Sequence, residues 1–521
     1  MLLVGVPLAV LVGTAFENGA ASLAPVLTGD DIARPMVNTI WTSLAITVLA
    51  VAAGAGAAFV TERSPVPGRA WLRGALVASL LTAPIVSAVG WARAYGRAGL
   101  LDQLLGVHWE GLYGPGGIVV VSAAGAAPLA YLVVAAGLAS RAEPDLERAA
   151  RASGATAPQA ARTVTLPLAR PALGAAAALV FVTSVNGFEI PAVLGIPAGF
   201  PTMTTRLYQN LTQSADPAAF TSSVVLAVVL VVLALVVMAP SDALTGARRL
   251  RRTGGAVGSG GPLSPRSWGL ASLLWGFLVL TAAVPLLAVV LVALTRGVGL
   301  APVPANWTTA NFSAALSGPT ASALMNTLGL AAMAATGVLA FGALTAALGT
   351  MPRGRPLGTL VTLTFAVAGS ALAVAVLLAY GRFLRDTLAI ILVAYLAKFW
   401  ALGHRPLAAA ADRLPGDLIR AGRASGARSS VAVRTIIAPL MWPALAGSWL
   451  LVFLFAVHEL TISSLLYGPG NETLAVVILN SQELGDIAVT SALSVLLSLL
   501  IAVAALLLVW VRSRARRLGH D

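Results

Sequence analysis

Cysteine is absent from the 521 residues. That excludes a disulfide framework and any thiolate metal site, and it leaves the compartment unread by that route. Charge is scarce, at 10% Asp, Glu, Lys and Arg together. Soluble domains carry roughly 25%, so a soluble globular fold is excluded. Lysine occurs once, at Lys398 in AYLAKFW. A phosphate-binding P-loop needs Gly-Lys before Ser or Thr, so this chain has no standard one, and the glycines at 254–261 do not make one. The four histidines, His108, His404, His458 and His520, are scattered, and neither a metal-ligand cluster nor a nucleophile triad is visible. No catalytic residue and no resident cofactor is therefore expected.

What remains is apolar and basic. Hydrophobic residues make up 58% of the chain and mean hydropathy is +0.88. The apolar residues come in long blocks, which reads as a polytopic membrane protein. The net charge of +13 is carried by arginine. In a chain this apolar, such a balance means arginines on cytoplasmic loops rather than nucleic acid.

Met1–Phe16 is apolar but short for a span and has no positive stretch before it, so it is a poor signal peptide. Either its helix continues past Glu17 or residues are missing ahead of Met1. Further blocks lie at 38–60, 74–96, 117–139, 173–195 and 219–240. They resume at 268–295, 322–348, 357–380, 387–403, 444–467 and 486–511. This gives twelve spans, six before and six after a Gly/Ser/Arg stretch, 241–267, that reads as a flexible linker. Backbone groups in lipid must be paired internally, so the expected fold is all-α. The expected domains are 1–240 and 268–521. With the polar loops at 141–170 and 405–434 inside, 25 of the 32 arginines are cytoplasmic and both termini are inside, with Lys398 at an inner helix end. Of those left outside, Arg93, Arg97, Arg382 and Arg385 are expected at outer helix ends, facing lipid or a partner. The tryptophans Trp41, Trp71, Trp91, Trp400 and Trp510 read as interfacial anchors.

The two halves share more than a block count. Asp145–Leu173, DLERAARASGATAPQAARTVTLPLARPAL, returns at Asp417–Leu445 as DLIRAGRASGARSSVAVRTIIAPLMWPAL, with 17 of 29 positions identical and no gap. Internal repeats of this length are seldom accidental. Asp145 is placed to cap a short helix and Gly154 to end it in the left-handed conformation. Pro158 suits the first turn of a second helix, and Pro167 and Pro171 are expected to break the path before the next span. In the second copy Asp417 and Gly426 take the same parts, with Ser429 or Ser430 as the second cap. Trp442 is placed to pack this loop.

The repeated pattern resembles the EAA motif of bacterial ABC importer permeases, E-A-A, three residues, G, nine residues, I-x-L-P. The first copy gives Arg148-Ala149-Ala150, Gly154, Val164, Leu166 and Pro167. The second gives Arg420-Ala421-Gly422, Gly426, Ile436, Ala438 and Pro439. Arginine stands where the family usually has Glu, and Glu147 is adjacent in the first copy only. The fused arrangement resembles the iron(III)-type permeases, which include thiamine and aminoethylphosphonate transporters; Asn186–Tyr208 and His458–Asn480 resemble their segments after each motif. The resemblance implies a type I importer permease fold of two six-helix halves in pseudo-twofold arrangement. It implies that both loops are coupling helices seated on an ABC ATPase homodimer, which would hold ATP and Mg, and that an external substrate-binding protein delivers the cargo. Ferric iron is the expected cargo, with thiamine, aminoethylphosphonate and polyamine as alternatives.

Charges within spans are expensive and mark pathways, so Glu189, His458 and Glu459, with Asn186 nearby, are the candidate substrate path. The alternative for these groups is that they cap backbone at helix breaks. A rival reading of the whole chain is an ion-gradient-driven transporter coupled through Glu189 and Glu459.

Overall fold

A computed structural model describes residues 3–17, 29–141, 144–246, 265–297, 299–349, 364, 367–412, 424, 428, 431 and 433–518. These residues are almost entirely helical; the exception to helix and loop is an isolated bridge between Thr295 and Trp307. In chain order the main helices of the first half are α1 (Gly5–Phe16), α2 (Asp30–Arg63), α3 (Arg69–Ser79), α4 (Pro84–Tyr95), α5 (Pro115–Arg141), α6 (Pro144–Ala152), α7 (Leu166–Val185), α8 (Met203–Thr212) and α9 (Pro217–Gly246). The second half has α10 (Pro265–Leu278), α11 (Val284–Ala293), α12 (Thr320–Gly349), α13 (Gly369–Leu384), α14 (Leu388–Ala411), α15 (Ala438–Val457), α16 (Leu474–Glu483) and α17 (Ile487–Leu518). Residues 247–264, within the expected linker, lie outside the described residues, but the linker's ends, 241–246 and 265–267, are helical.

Among the described residues nine helices are long and apolar enough to cross a membrane. The pair α3–α4 would be a tenth, but it is bent by 103°. The single span expected at 74–96 is thus broken, because Pro84 starts a new helix and holds Ala83 extended. Helix α3 lies amphipathically, with Leu72 and Leu76 buried and Trp71 79% exposed. Among the described residues the block at the N-terminus gives α1, of 12 residues, and the block at 357–380, part of which lies outside the described residues, gives α13, of 16. At 1.5 Å per residue these are about 18 and 24 Å long, short of a bilayer core of about 30 Å. The block at 387–403 instead lengthens into the 24-residue α14.

Two spans start earlier than their apolar blocks. The expected break at Pro167 and Pro171 does not occur: one continuous span runs over Ala161–Val185, and Pro171 is accommodated inside α7. The device that allows it is a π-turn at 161–165, repeated at 279–283 and 433–437. A proline stands two residues past each, at Pro167, Pro285 and Pro439. A proline ring collides with the carbonyl four residues back. At that position stands a threonine each time, and its hydroxyl donates to the carbonyl a further four residues back: Thr163 to Gln159 at 2.8 Å, Thr281 to Phe277 at 2.7 Å and Thr435 to Val431 at 2.7 Å. The wider turn moves the crowded carbonyl aside, and the helix continues.

The two halves pack alike. Helix α2 packs on α5 and α7 as α12 packs on α14 and α15, and α8 and α9 follow α7 as α16 and α17 follow α15. Glycines permit the closest approaches: a Cβ on Gly54 would lie 2.7 Å from Tyr131 N, and one on Gly342 3.0 Å from His404 N. A matched pair of dipeptides fixes α8 and α16. Asn38 Nδ2 donates to Pro201 O at 2.8 Å, and Thr39 Oγ1 accepts from Met203 N at 2.8 Å. Asn326 Nδ2 donates to Glu472 O at 3.1 Å, and Thr327 Oγ1 accepts from Leu474 N at 2.8 Å. The opening helices cross over. Helix α1 packs on α13 of the second half, and α11 packs on α4 of the first. One buried core cluster draws on both halves.

Candidate functional site

The repeated loop forms a compact hairpin in its first copy. Helix α6 begins at Pro144, so Asp145 lies in its first turn rather than capping it, and Glu147, Arg148, Ala149 and Ala150 lie within it. Pro144 takes the first helical position because its missing N–H costs nothing there. Gly154 has φ +94°, Ala155 N donates to Ala150 O at 3.1 Å and Gly154 N to Arg151 O at 3.0 Å, which closes the helix in a Schellman turn. A left-handed residue is required at that point, and glycine supplies it without Cβ strain. Thr156 then opens a helical turn at Ala157–Ala160, with Gln159 Oε1 accepting from Thr156 N at 2.8 Å and Pro158 in its first turn. The π-turn follows, and the chain passes directly into α7. Ala149 and Gly154 are exposed and Ala150 half-buried. Of the second copy, Asp417, Arg420, Ala421, Gly422, Gly426, Ser429 and Ser430 lie outside the described residues, whereas Pro439 is described and exposed. Trp442 is 64% exposed, and most of the loop it is expected to pack lies outside the described residues.

Both motif-borne helices end at one cavity of about 320 Å³. Thr183 and Ser184 reach it from the last turn of α7, and Phe455 and His458 from the end of α15. Thr39 and Thr42 of α2 and Ser122 and Gly125 of α5 face it. Both spans stop short of the sequence blocks that announced them, at Val185 and Val457, so the charged residues fall in the breaks beyond. Asn186 is the C-cap of α7, and Glu189 heads a separate short helix, Glu189–Leu194, and lines the cavity.

The other carboxylate is differently placed. Glu459 is 5% exposed and accepts from Lys398 Nζ at 2.6 Å, from Ile462 N at 3.0 Å and from Ser463 N at 3.4 Å. It caps the short helix Ser463–Leu466 and neutralises the lone lysine. Tyr395 completes the cluster, sharing a hydrogen bond with Ser463 Oγ at 2.6 Å and donating to Glu459 O at 3.2 Å. Lys398 is therefore not at an inner helix end; it stands within α14. A lysine in an apolar helix demands a partner, and that was the available signal. In the repeat's register Glu459 falls opposite Gly187 and Glu189 opposite Thr461, so the two carboxylates are offset by two positions.

Arg93 also departs from expectation. It is 8% exposed and donates to Gln482 Oε1 at 3.1 Å, rather than projecting outward. Trp91 beside it is buried too and is no interfacial anchor. Among the described residues no group of three or more His, Asp or Glu is placed to hold a metal ion.

Comparison with known proteins gives a consistent picture. The family described as the binding-protein-dependent transport system inner membrane component matches residues 2–249. A Fe(3+)-transport system permease protein of Haemophilus influenzae is 24% identical over 496 residues, covering 92% of this chain and 90% of that one. A ferric transport system permease protein of Actinobacillus pleuropneumoniae is 25% identical over 456 residues, 83% of this chain and 64% of its own. A probable molybdenum ABC transporter permease protein of Haloferax volcanii is 30% identical over 214 residues, 40% of this chain and 76% of its own.

Proposed function

The chain belongs to the family of binding-protein-dependent transport system inner membrane components, and from that premise we propose that it unites both permease halves of one ATP-driven importer. As an ABC importer permease it is a multi-pass membrane transport subunit, not an enzyme. Residues 1–240 and 268–521 are the two halves in this reading, both termini are cytoplasmic, and ATP and Mg bind a separate ATPase dimer. That dimer grips the loops at 145–167 and 417–439, and a binding protein outside delivers the cargo. The names of the ferric relatives carry ferric iron over as that cargo.

One observation carries the coupling role. The hairpin at 144–160 runs through its π-turn into α7 without a joint, and α7 ends at the cavity. A rigid helix transmits displacement along its length, so a push on the hairpin moves Thr183 and Ser184. Of the second motif, the described π-turn at 433–437 likewise runs into α15, which ends at Phe455 and His458. Closure of the ATPase dimer would then rock the two helices and turn the cavity between inward and outward access.

The test is purification of the tagged chain in mild detergent from its native membrane, with mass spectrometry of what accompanies it. An ATPase subunit near two copies per chain is expected. Its absence, even after cross-linking at 145–167, together with uptake that collapses on adding an ionophore, would refute the reading. The variant Gly154→Trp/Gly426→Trp is expected to remain in the membrane and lose substrate-stimulated ATP hydrolysis. Retained stimulation removes the loops from the coupling role.

A further inference from the structure

The cavity lies on one side of a molecule whose halves are otherwise built alike, and the cause of that asymmetry identifies its ligand. Gly54 presses on the backbone at Tyr131 as Gly342 presses on the backbone at His404. Counting back along both helices sets Gly125 against Lys398 and Ser122 against Tyr395. Continuing the motif's register past α7 and α15 sets Gly187 against Glu459 and Pro191 against Ser463. In the second half the four positions hold Tyr395, Lys398, Glu459 and Ser463, bonded to one another. In the first half they hold Ser122, Gly125, Gly187 and Pro191, and all four line the cavity. A Cβ built on Gly125 meets nothing within 4 Å, so the space opposite Lys398's counterpart is open. The cavity is thus the first half's version of a place that the second half fills with its own ammonium.

The charge of the chamber points the same way. Glu189 faces it, and no described Lys, Arg or His makes an ion pair with Glu189. Lys398 and Glu459 lie within its electrostatic reach but are spent on each other. Backbone amides of Phe188 and Glu189 bond the Glu189 carboxylate but bring no net charge, so inside a membrane it must either hold a proton or be joined by a cation. The remaining wall is the His458 imidazole, hydroxyls such as Thr42 and Thr183, and apolar groups such as Ile46 and Phe277.

Building on the importer reading, we propose that this cavity binds the positively charged part of the cargo, with Glu189 as counter-charge, and that Lys398 is a built-in occupant that keeps the second half from binding. The required chemistry is one cationic centre, which a hydrated metal ion or an organic ammonium supplies.

The experiment is equilibrium dialysis of the full-length purified chain, without ATPase or binding protein, against ferric ion, choline and spermidine as separate probes. Binding of at least one probe is expected, and which one binds tells metal from ammonium. Glu189→Gln is expected to weaken it about tenfold or more, the usual loss when a charge-assisted partner is removed. Gly125→Lys brings the second half's ammonium into the first and is expected to abolish binding. Gly125→Met, of similar length and uncharged, fills the same space without charge and is expected to weaken binding clearly less than Gly125→Lys does. Thermal melting of each variant verifies that it is folded. Binding of none of the three probes overturns the proposal, as do equal losses in Gly125→Lys and Gly125→Met or unchanged binding in Glu189→Gln. Because the assay uses neither ATP nor a partner, failure of the importer reading would appear separately, in the co-purification.

Discussion

Lys398 and Glu459 show how a single charge is made tolerable in an apolar helix. The carboxylate is nearly sealed, the ammonium is 29% exposed along its side chain, and the pair is closed by two backbone amides. Breaking a buried pair leaves its survivor uncompensated, at a cost of about 3 kcal/mol or more. Glu459→Gln alone is therefore expected to lower the detergent melting temperature markedly, and Lys398→Met/Glu459→Gln together to recover most of the loss; a double variant no better than either single one would show that the pair is not the reason. Gly154 makes a second prediction at this scale. With φ at +94°, an alanine there is strained by about 1 kcal/mol, whereas asparagine tolerates the left-handed region. Gly154→Asn is expected to keep more ATPase stimulation than Gly154→Ala, and the reverse order would remove backbone conformation as the explanation. Glu189 and Glu459 were legible as intramembrane charges, and their spacing after the motif suggested equal roles. What the sequence did not disclose is that one is neutralised and the other is not, because the neutralising lysine lies about sixty positions upstream on another helix.

Among elements, the span limits were the hardest to read, and the reason lies in three prolines. Pro167 and Pro439 look like breakers, so the apolar blocks seem to start after them; the threonine four residues earlier and the π-turn it accompanies let the helices begin inside the polar motif. The spacing Thr-x-x-x-Pro, present also at Thr281 and Pro285, was the signal available. The dipeptides Asn38-Thr39 and Asn326-Thr327 were invisible for another reason: their partners are backbone groups far along the chain, and nothing local marks them. Each threonine satisfies an amide at the start of a helix where water is scarce. Thr39→Val and Thr327→Val are each expected to cost about 1–2 kcal/mol, and the double variant to cost the sum, since the sites are separate. Melting curves check this; a neutral Thr39→Val would mean that the amide finds another acceptor.

For the whole molecule, the apolar blocks and the repeat delivered an all-helical, two-part membrane protein, and the arrangement of the parts came only from packing. Helix α1 rests on α13 and α11 rests on α4, so each half is completed by the other. Co-expressed fragments 1–246 and 265–521 are accordingly expected to purify as a complex, with either alone degraded; fragments that are stable separately would contradict the crossed packing. That crossing also sets a schedule for synthesis. Helix α1, 12 residues long, is too short to hold a bilayer by itself, and its seat on α13 is translated more than 350 residues later. At about 5–20 residues per second it must wait roughly 20 seconds or more at the membrane edge for that seat to appear. Helix α1 is thus made long before it finds its place, and a newborn molecule carries an unfinished flank for most of its assembly.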